Sequence, residues 1–174
     1  MYLSCYVSLI VVGSVSARVE LLCPVGPMSQ DSVYLFNWNV RGLNAKAKQD
    51  SVRVCIQQYK PTIVCLQETK LSAISNQIIL NTLGHQFVQQ HAFLPADGTS
   101  SGILLACDEN FFSISEVVLG QYSLSATVSM REEGLNWSIT VVYGPQLDAD
   151  KINFLVELEN IQVSLKPAWL IIGD

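Results

Sequence analysis

Asn39 and Glu68 are the residues of this 174-residue chain whose types and setting suit joint chemistry. Each ends a short apolar run, one starting at Tyr34 and the other at Thr62, that reads as a buried parallel or mixed strand. Side chains at the ends of such strands gather along one rim of a sheet, which sets a carboxamide beside a carboxylate. These are the hard oxygen ligands that Mg2+ prefers, and Mg2+ takes one or two protein carboxylates together with water and phosphate oxygens. The expected chemistry is therefore on phosphate esters. Tyr143 and Asp174 also stand at the C-terminal ends of predicted strands, so all four residues are expected to approach one point.

The elements that must position them follow from periodicity. Val52, Cys55, Ile56 and Tyr59 recur at helical spacing, and Lys60-Pro61 closes that helix before the strand at Thr62, making a strand-helix-strand unit. A weaker helix is expected from Ala73 to Leu83. Short strands are expected near Gln86 to Gln90, Gly102 to Cys107, Ser113 to Leu119, Ser123 to Met130 and Asn136 to Tyr143, with Arg131 to Gly134 joining the last two. After Gly144-Pro145, Asp148 is a suitable N-cap for a helix reaching Leu165, with Ile152, Leu155, Leu158 and Ile161 on a face that packs into the core. Trp169 to Ile172 reads as a final buried strand. The order of elements is α+β with mixed strands.

Composition sets outer bounds. Apolar residues make up 49% of the chain and charged ones 14%, whereas soluble domains carry about 25% charged residues. The chain is thus richer in core than in surface. A net charge of −5 and a pI near 4.9 argue against a basic nucleic-acid-binding face, because such faces draw their affinity from Lys and Arg. The five cysteines, Cys5, Cys23, Cys55, Cys65 and Cys107, show neither a CxxC pair nor zinc spacing and read as reduced, mostly buried thiols. Residues 1–17 are apolar and Val15-Ser16-Ala17 has the form of a signal-peptidase site. No Lys or Arg precedes the run, however, and it is too short to span a bilayer, so an intracellular protein, nuclear or cytoplasmic, is the preferred reading over a secreted one.

Five motifs taken together resemble the endonuclease/exonuclease/phosphatase superfamily, and within it the endonuclease domain of plant LINE-type retrotransposons. They are Trp38-Asn39-Val40-Arg41-Gly42-Leu43, Leu66-Gln67-Glu68-Thr69-Lys70, Ser101-Gly102-Ile103, Val142-Tyr143-Gly144-Pro145 and Trp169-Leu170-Ile171-Ile172-Gly173-Asp174. The resemblance implies a two-sheet β-sandwich flanked by helices and Mg2+-assisted phosphodiester hydrolysis on a nucleic acid. It implies that Glu68 is the metal-binding glutamate and Asn39 the asparagine beside metal and phosphate. Tyr143 would contact the phosphate, and Asp174 would orient or deprotonate the attacking water.

Two departures from the family pattern shape the expectation. Arg41 stands where some relatives carry a second carboxylate, and it suits phosphate rather than metal. The family pattern also continues beyond Gly-Asp with Phe-Asn, a further Asp and an Asp-His pair, while this sequence stops at Asp174; His85 and His91 match none of these. The expected organisation is an apolar leader over residues 1–30, outside the fold, and a C-terminally truncated domain over 31–174. It is expected to bind Mg2+ weakly or not at all, to have little or no turnover, and to self-associate through uncovered apolar strands that include Ile139, Val141, Leu170, Ile171 and Ile172. An active hydrolase from an incomplete gene model and a non-enzymatic interaction module or remnant are the alternatives.

Overall fold

The computed structural model describes residues 17–18, 33–97, 102–132, 134–145, 147–162 and 168–173. Among the described residues nine strands form two mixed sheets that pack face to face, the α+β sandwich implied by the family resemblance. The first sheet has the order β1-β2-β3-β5-β4 and comprises β1 (Ala17–Arg18), β2 (Tyr34–Asn39), β3 (Ile63–Gln67), β4 (His91–Leu94) and β5 (Ile103–Cys107). The second has the order β6-β7-β8-β9 and comprises β6 (Phe112–Leu119), β7 (Ser123–Met130), β8 (Asn136–Val142) and β9 (Trp169–Gly173). The helices are α1 (Lys46–Tyr59), α2 (Asn76–Thr82) and α3 (Asp148–Gln162).

The continuous apolar runs of β2, β3 and β5 arise because the first sheet is covered on both faces. Leu35, Ile63, Cys65 and Leu105 point between the sheets, where they meet Phe112, Leu124, Ile139, Val141, Leu170 and Ile172. The alternate residues Phe36, Val64, Leu66 and Leu104 pack under Val52 and Ile56 of α1 and Ile79 of α2. Ser75 caps α2, its hydroxyl accepting from the Ile78 amide.

Several expectations are corrected. Gln86 to Gln90 is not a strand: His85–Phe87 is a 3-10 turn that buries Phe87, and the strand begins at His91. The apolar pattern there belongs to one buried aromatic under a turn rather than to sheet pairing. Of the residues expected to be uncovered, Ile139, Val141, Leu170 and Ile172 are buried against the first sheet, while Ile171, on the edge strand β9, is half-buried. The α3 expectation also fails. Of the four residues expected on its core face only Ile161 is buried, while Ile152 and Leu155 are 71% and 58% exposed. The side chains of Ser123, Ser125, Thr127, Ser138 and Thr140 on the outer face of the second sheet are buried hydroxyls, so on that side the sheet offers α3 polar partners rather than an apolar stripe.

Ala17 and Arg18, inside the stretch expected to lie outside the fold, pair antiparallel with Leu35 and Tyr34 and satisfy backbone groups on the β2 edge. The rest of residues 1–30 lies outside the described residues. Cys65 and Cys107 are buried free thiols and Cys55 is a half-buried one; Cys5 and Cys23 fall outside the described residues. No described helix is long and apolar enough to cross a membrane.

Candidate active site

Parallel pairing of β2 with β3 sets Asn39 opposite Gln67, so Glu68 follows one residue later on the same rim. The pairing continues past the strands, with the amides of Val40, Gly42 and Leu43 donating to the carbonyls of Gln67, Glu68 and Thr69. This extension binds the two loops together. Arg41, Glu68 and Lys70 all have left-handed backbones, with φ of 52°, 51° and 55°. Such conformations cost non-glycine residues about 1–3 kcal/mol and persist where surrounding structure enforces them, often at functional sites.

The rim brings three of the four expected residues together. Glu68 Oε1 accepts from Asn39 Nδ2 at 2.9 Å and from the Tyr143 hydroxyl at 2.9 Å. Tyr143 arrives from the opposite sheet, directly after β8, and its amide donates to the Tyr122 carbonyl in the β6–β7 turn. The Asn39 side-chain oxygen accepts from the Arg41 amide at 3.3 Å, so both ends of the carboxamide are engaged. Lys70 Nζ lies 3.8 Å from Glu68 Oε2. With a side chain only 15% exposed, Glu68 is held by protein dipoles on one oxygen and faces a cation on the other.

Asp174 lies outside the described residues. Gly173 before it is in register with Val142, the residue before Tyr143. A Cβ at Gly173 would sit 1.9 Å from the Val142 carbonyl oxygen, so only glycine permits this close parallel pairing. At Gly102 the chain has φ of +79° and a Cβ there would come within 2.5 Å of Thr69 Oγ1; its carbonyl accepts from the Thr69 amide. Gly102 therefore shapes the loop that carries Glu68, while Ser101 lies outside the described residues. Neither histidine joins the cluster: His91 Nδ1 pairs with the Val88 carbonyl, and His85 lines a separate cavity of about 650 Å3 beside Tyr34, Lys60 and Asp108.

Sequence reasoning missed Asn37 and Gln67. Both are buried, and Gln67 Nε2 donates to Asn37 Oδ1 at 2.5 Å across the β2–β3 pair. The available signal was two carboxamides interrupting otherwise apolar strands, two and one residues ahead of Asn39 and Glu68. Gln67 Oε1 and Thr69 Oγ1, on either side of Glu68 in sequence, are buried without hydrogen-bond partners. Such groups call for an explanation at a functional site.

Among the described residues no three His, Cys, Asp or Glu side chains converge on one point. A carboxylate with an adjacent carboxamide fits Mg2+ as a sparse site whose shell is completed by water and substrate oxygens.

Polar residues thus converge at the strand ends of both sheets of the sandwich. Residues 36–174 match the model of the Endonuclease/Exonuclease/phosphatase family, and the chain belongs to that family. No curated protein sequence matches it. Solved structures do. The human Nocturnin catalytic domain with bound sulfate superposes with a TM-score of 0.59 at 18% identity, over 80% of this chain and 62% of that one. Danio rerio TDP2 complexed with a single-strand DNA product gives 0.57 at 17% identity, over 80% and 59%. A mannosyl-6-phosphatase of Bacteroides thetaiotaomicron gives 0.53 at 11% identity, over 80% and 64%. At these identities the likeness establishes the fold. The chain spans about 60% of the length of the first two of these structures.

Proposed function

We propose that the chain carries the phosphate-ester site of a Mg2+-dependent phosphodiesterase of the endonuclease kind, derived from a LINE-type retrotransposon, with little or no turnover of its own. The observation that carries this reading is the convergence of Asn39 and Tyr143 on one oxygen of Glu68. Glu68, with Asn39 beside it, would hold the metal. When bound, Mg2+ polarises a phosphoryl oxygen and stabilises the leaving oxygen.

The protein's own contributions follow from geometry. Tyr143 and Asn39 fix the Glu68 carboxylate, the single hydroxyl proton of Tyr143 being donated to Glu68 Oε1. Exposed Arg41 and Lys70 flank the cluster and suit phosphate oxygens, Arg41 by a two-pronged contact and Lys70 as a point charge. Asp174 is assigned to orienting the attacking water.

Low turnover is supported by the chemistry of the cluster, in which no described histidine stands near Glu68 to act as general acid. A lost acid or oxyanion donor typically lowers rates by about 100-fold or more. A nucleic-acid substrate is supported by the DNA-bound relative and by local charge. Six of the ten Lys and Arg, but only Asp50 and Glu68 of the fifteen acids, lie between Arg41 and Lys70.

The test is Mg2+ titration by calorimetry together with nicking of supercoiled DNA, on the full chain and on Glu68→Ala. Weak Mg2+ binding lost in Glu68→Ala, with nicking at background, is the expected result. Sub-micromolar Mg2+ affinity or Glu68-dependent nicking would overturn the low-activity part. Mg2+ binding unchanged in Glu68→Ala would overturn the site itself.

A further inference from the structure

The β6–β7 hairpin turns through Gly120, Gln121 and Tyr122 and closes with the Gly120 amide donating to the Ser123 carbonyl. Such a turn leaves amides without a ladder partner. Here those of Gln121 and Tyr122 are satisfied from outside the sheet, because the Glu157 carboxylate of α3 accepts from both and from the Ser123 hydroxyl. Gly120 makes the approach possible, since a Cβ there would come within 2.0 Å of Glu157 Oε1. Bonds to a charged acceptor of this kind are roughly twice as strong as neutral ones.

The helix has little else to hold it. Ile152, Leu155 and Val156 are exposed, and Ile161 is the buried residue of α3. Phe154 packs edge-on against Tyr122 at 5.9 Å between ring centroids, so Phe154 and Glu157, one helical turn apart, both bear on the same hairpin turn.

That turn leads to the candidate active site. Ser123 pairs with Val142 at the end of the β7–β8 ladder, and one residue further the Tyr122 carbonyl accepts from the Tyr143 amide at 2.9 Å. Tyr143 stands past the last residue of β8 and just before Gly144-Pro145, where the chain leaves the sheet. The Tyr122 carbonyl thus ties down a strand end, and with it the reach of the Tyr143 hydroxyl to Glu68 Oε1, which it meets at 2.9 Å. A displacement of about 1 Å would take that contact beyond hydrogen-bond range.

We propose that Glu157 is a positioning residue for the Glu68 cluster: by holding the β6–β7 turn it places Tyr143 for its bond to Glu68 Oε1, and so couples α3 to the candidate metal site. The coupling to Mg2+ rests on Glu68 being the metal-binding carboxylate of the proposed function, whereas the placement of Tyr143 rests on the contacts alone.

The test reads Tyr143 by NMR of the full chain labelled at tyrosine 13Cζ, in which the Tyr143 signal, one of six, is assigned by its loss in Tyr143→Phe. Glu68→Ala gives the position of that signal when the bond is absent. Glu157→Ala is expected to move it at least halfway toward that position, and Glu157→Gln, which keeps one acceptor oxygen, to move it less in the same direction. Ile161→Ala, which removes apolar packing from α3 but no bond to the turn, is expected to leave it in place. Circular dichroism checks folding, and Glu157→Gln decides alone if Glu157→Ala does not fold. A signal unmoved by the Glu157 substitutions would overturn the proposal, as would an equal movement in Ile161→Ala, since loosening the helix would then suffice.

Calorimetric titration with Mg2+ supplies the second arm. Glu157→Ala is expected to weaken binding about threefold, less than the 10-fold or more typical when a partner of a metal ligand is itself removed. In Tyr143→Phe the same substitution should have no effect. Equal weakening in both backgrounds would overturn the proposal, because Glu157 would then act other than through Tyr143. A parent chain that binds no Mg2+ would sink the metal-site reading instead, and the tyrosine signal would decide the positioning role.

Discussion

Glu68 depends on two neutral donors from different sheets sharing one of its oxygens, and this makes the cluster an energetic unit. Removing a hydrogen bond to a charged group costs about 1.5–3 kcal/mol, and partial exposure places these two at the lower end. Asn39→Ala and Tyr143→Phe are each expected to lower stability by about 1.5 kcal/mol, and the double variant should depart from additivity by about 0.5 kcal/mol or more. Urea midpoints of the four proteins measure the coupling; strict additivity would mean that the two donors act separately. Asn39 and Glu68 were legible in the sequence because each polar residue ended an apolar run. Asn37 and Gln67 were not, because a carboxamide inside a strand gives no sign of its partner until register places the two side by side.

At the scale of elements, the parallel β8–β9 pair delivers Tyr143 to the rim. Its tightest point is Gly173 against the Val142 carbonyl. Gly173→Ala is expected to cost about 3 kcal/mol, the upper end for a single substitution, since backbone rather than a flexible side chain must move. Thermal or urea unfolding of this variant measures it, and a loss below about 0.5 kcal/mol, typical of unconstrained surface sites, would show that the pair can part without cost. Helix periodicity located α3 correctly at its start but assigned it the wrong environment. The same spacing of Ile152, Leu155 and Ile161 describes a stripe that packs inward or one left outside. The hydroxyl-rich outer face of the second sheet and the Glu157 anchor decide between these.

For the whole molecule, the sandwich closes around two thiols whose ionisation burial opposes. Cys65 and Cys107 have pKa values raised by desolvation, and Cys107 is raised further by Cys65 and Asp108. An unfolded thiol ionises near pH 8.5, so above that pH the unfolded state releases protons that the folded state keeps. Stability should therefore be insensitive to these groups below about pH 8 and fall as pH rises beyond it, by up to about 1.4 kcal/mol per pH unit for each thiol. Cys65→Val removes one of the two. Urea midpoints at pH 8 and pH 10 should show a smaller alkaline loss in this variant than in the parent, and equal losses would contradict the assignment. The same closure covers Ile139, Val141, Leu170 and Ile172 of the strands expected to be uncovered, because the inner faces of β8 and β9 are filled by the first sheet.

The two-sheet sandwich was implied by the family motifs, while the sequence by itself determined an α+β order of mixed strands, most strand positions and the rim on which Asn39 and Glu68 meet. These are consequences of local patterning: apolar runs, helical spacing, and breakers at Pro61 and Gly144-Pro145. Tertiary structure alone decided that Tyr143 bonds the same oxygen as Asn39, that a carboxamide pair lies buried beside the cluster, and that α3 keeps its apolar residues outside. Each of these depends on which surface comes to lie opposite a residue, and periodicity records only which residues share a face.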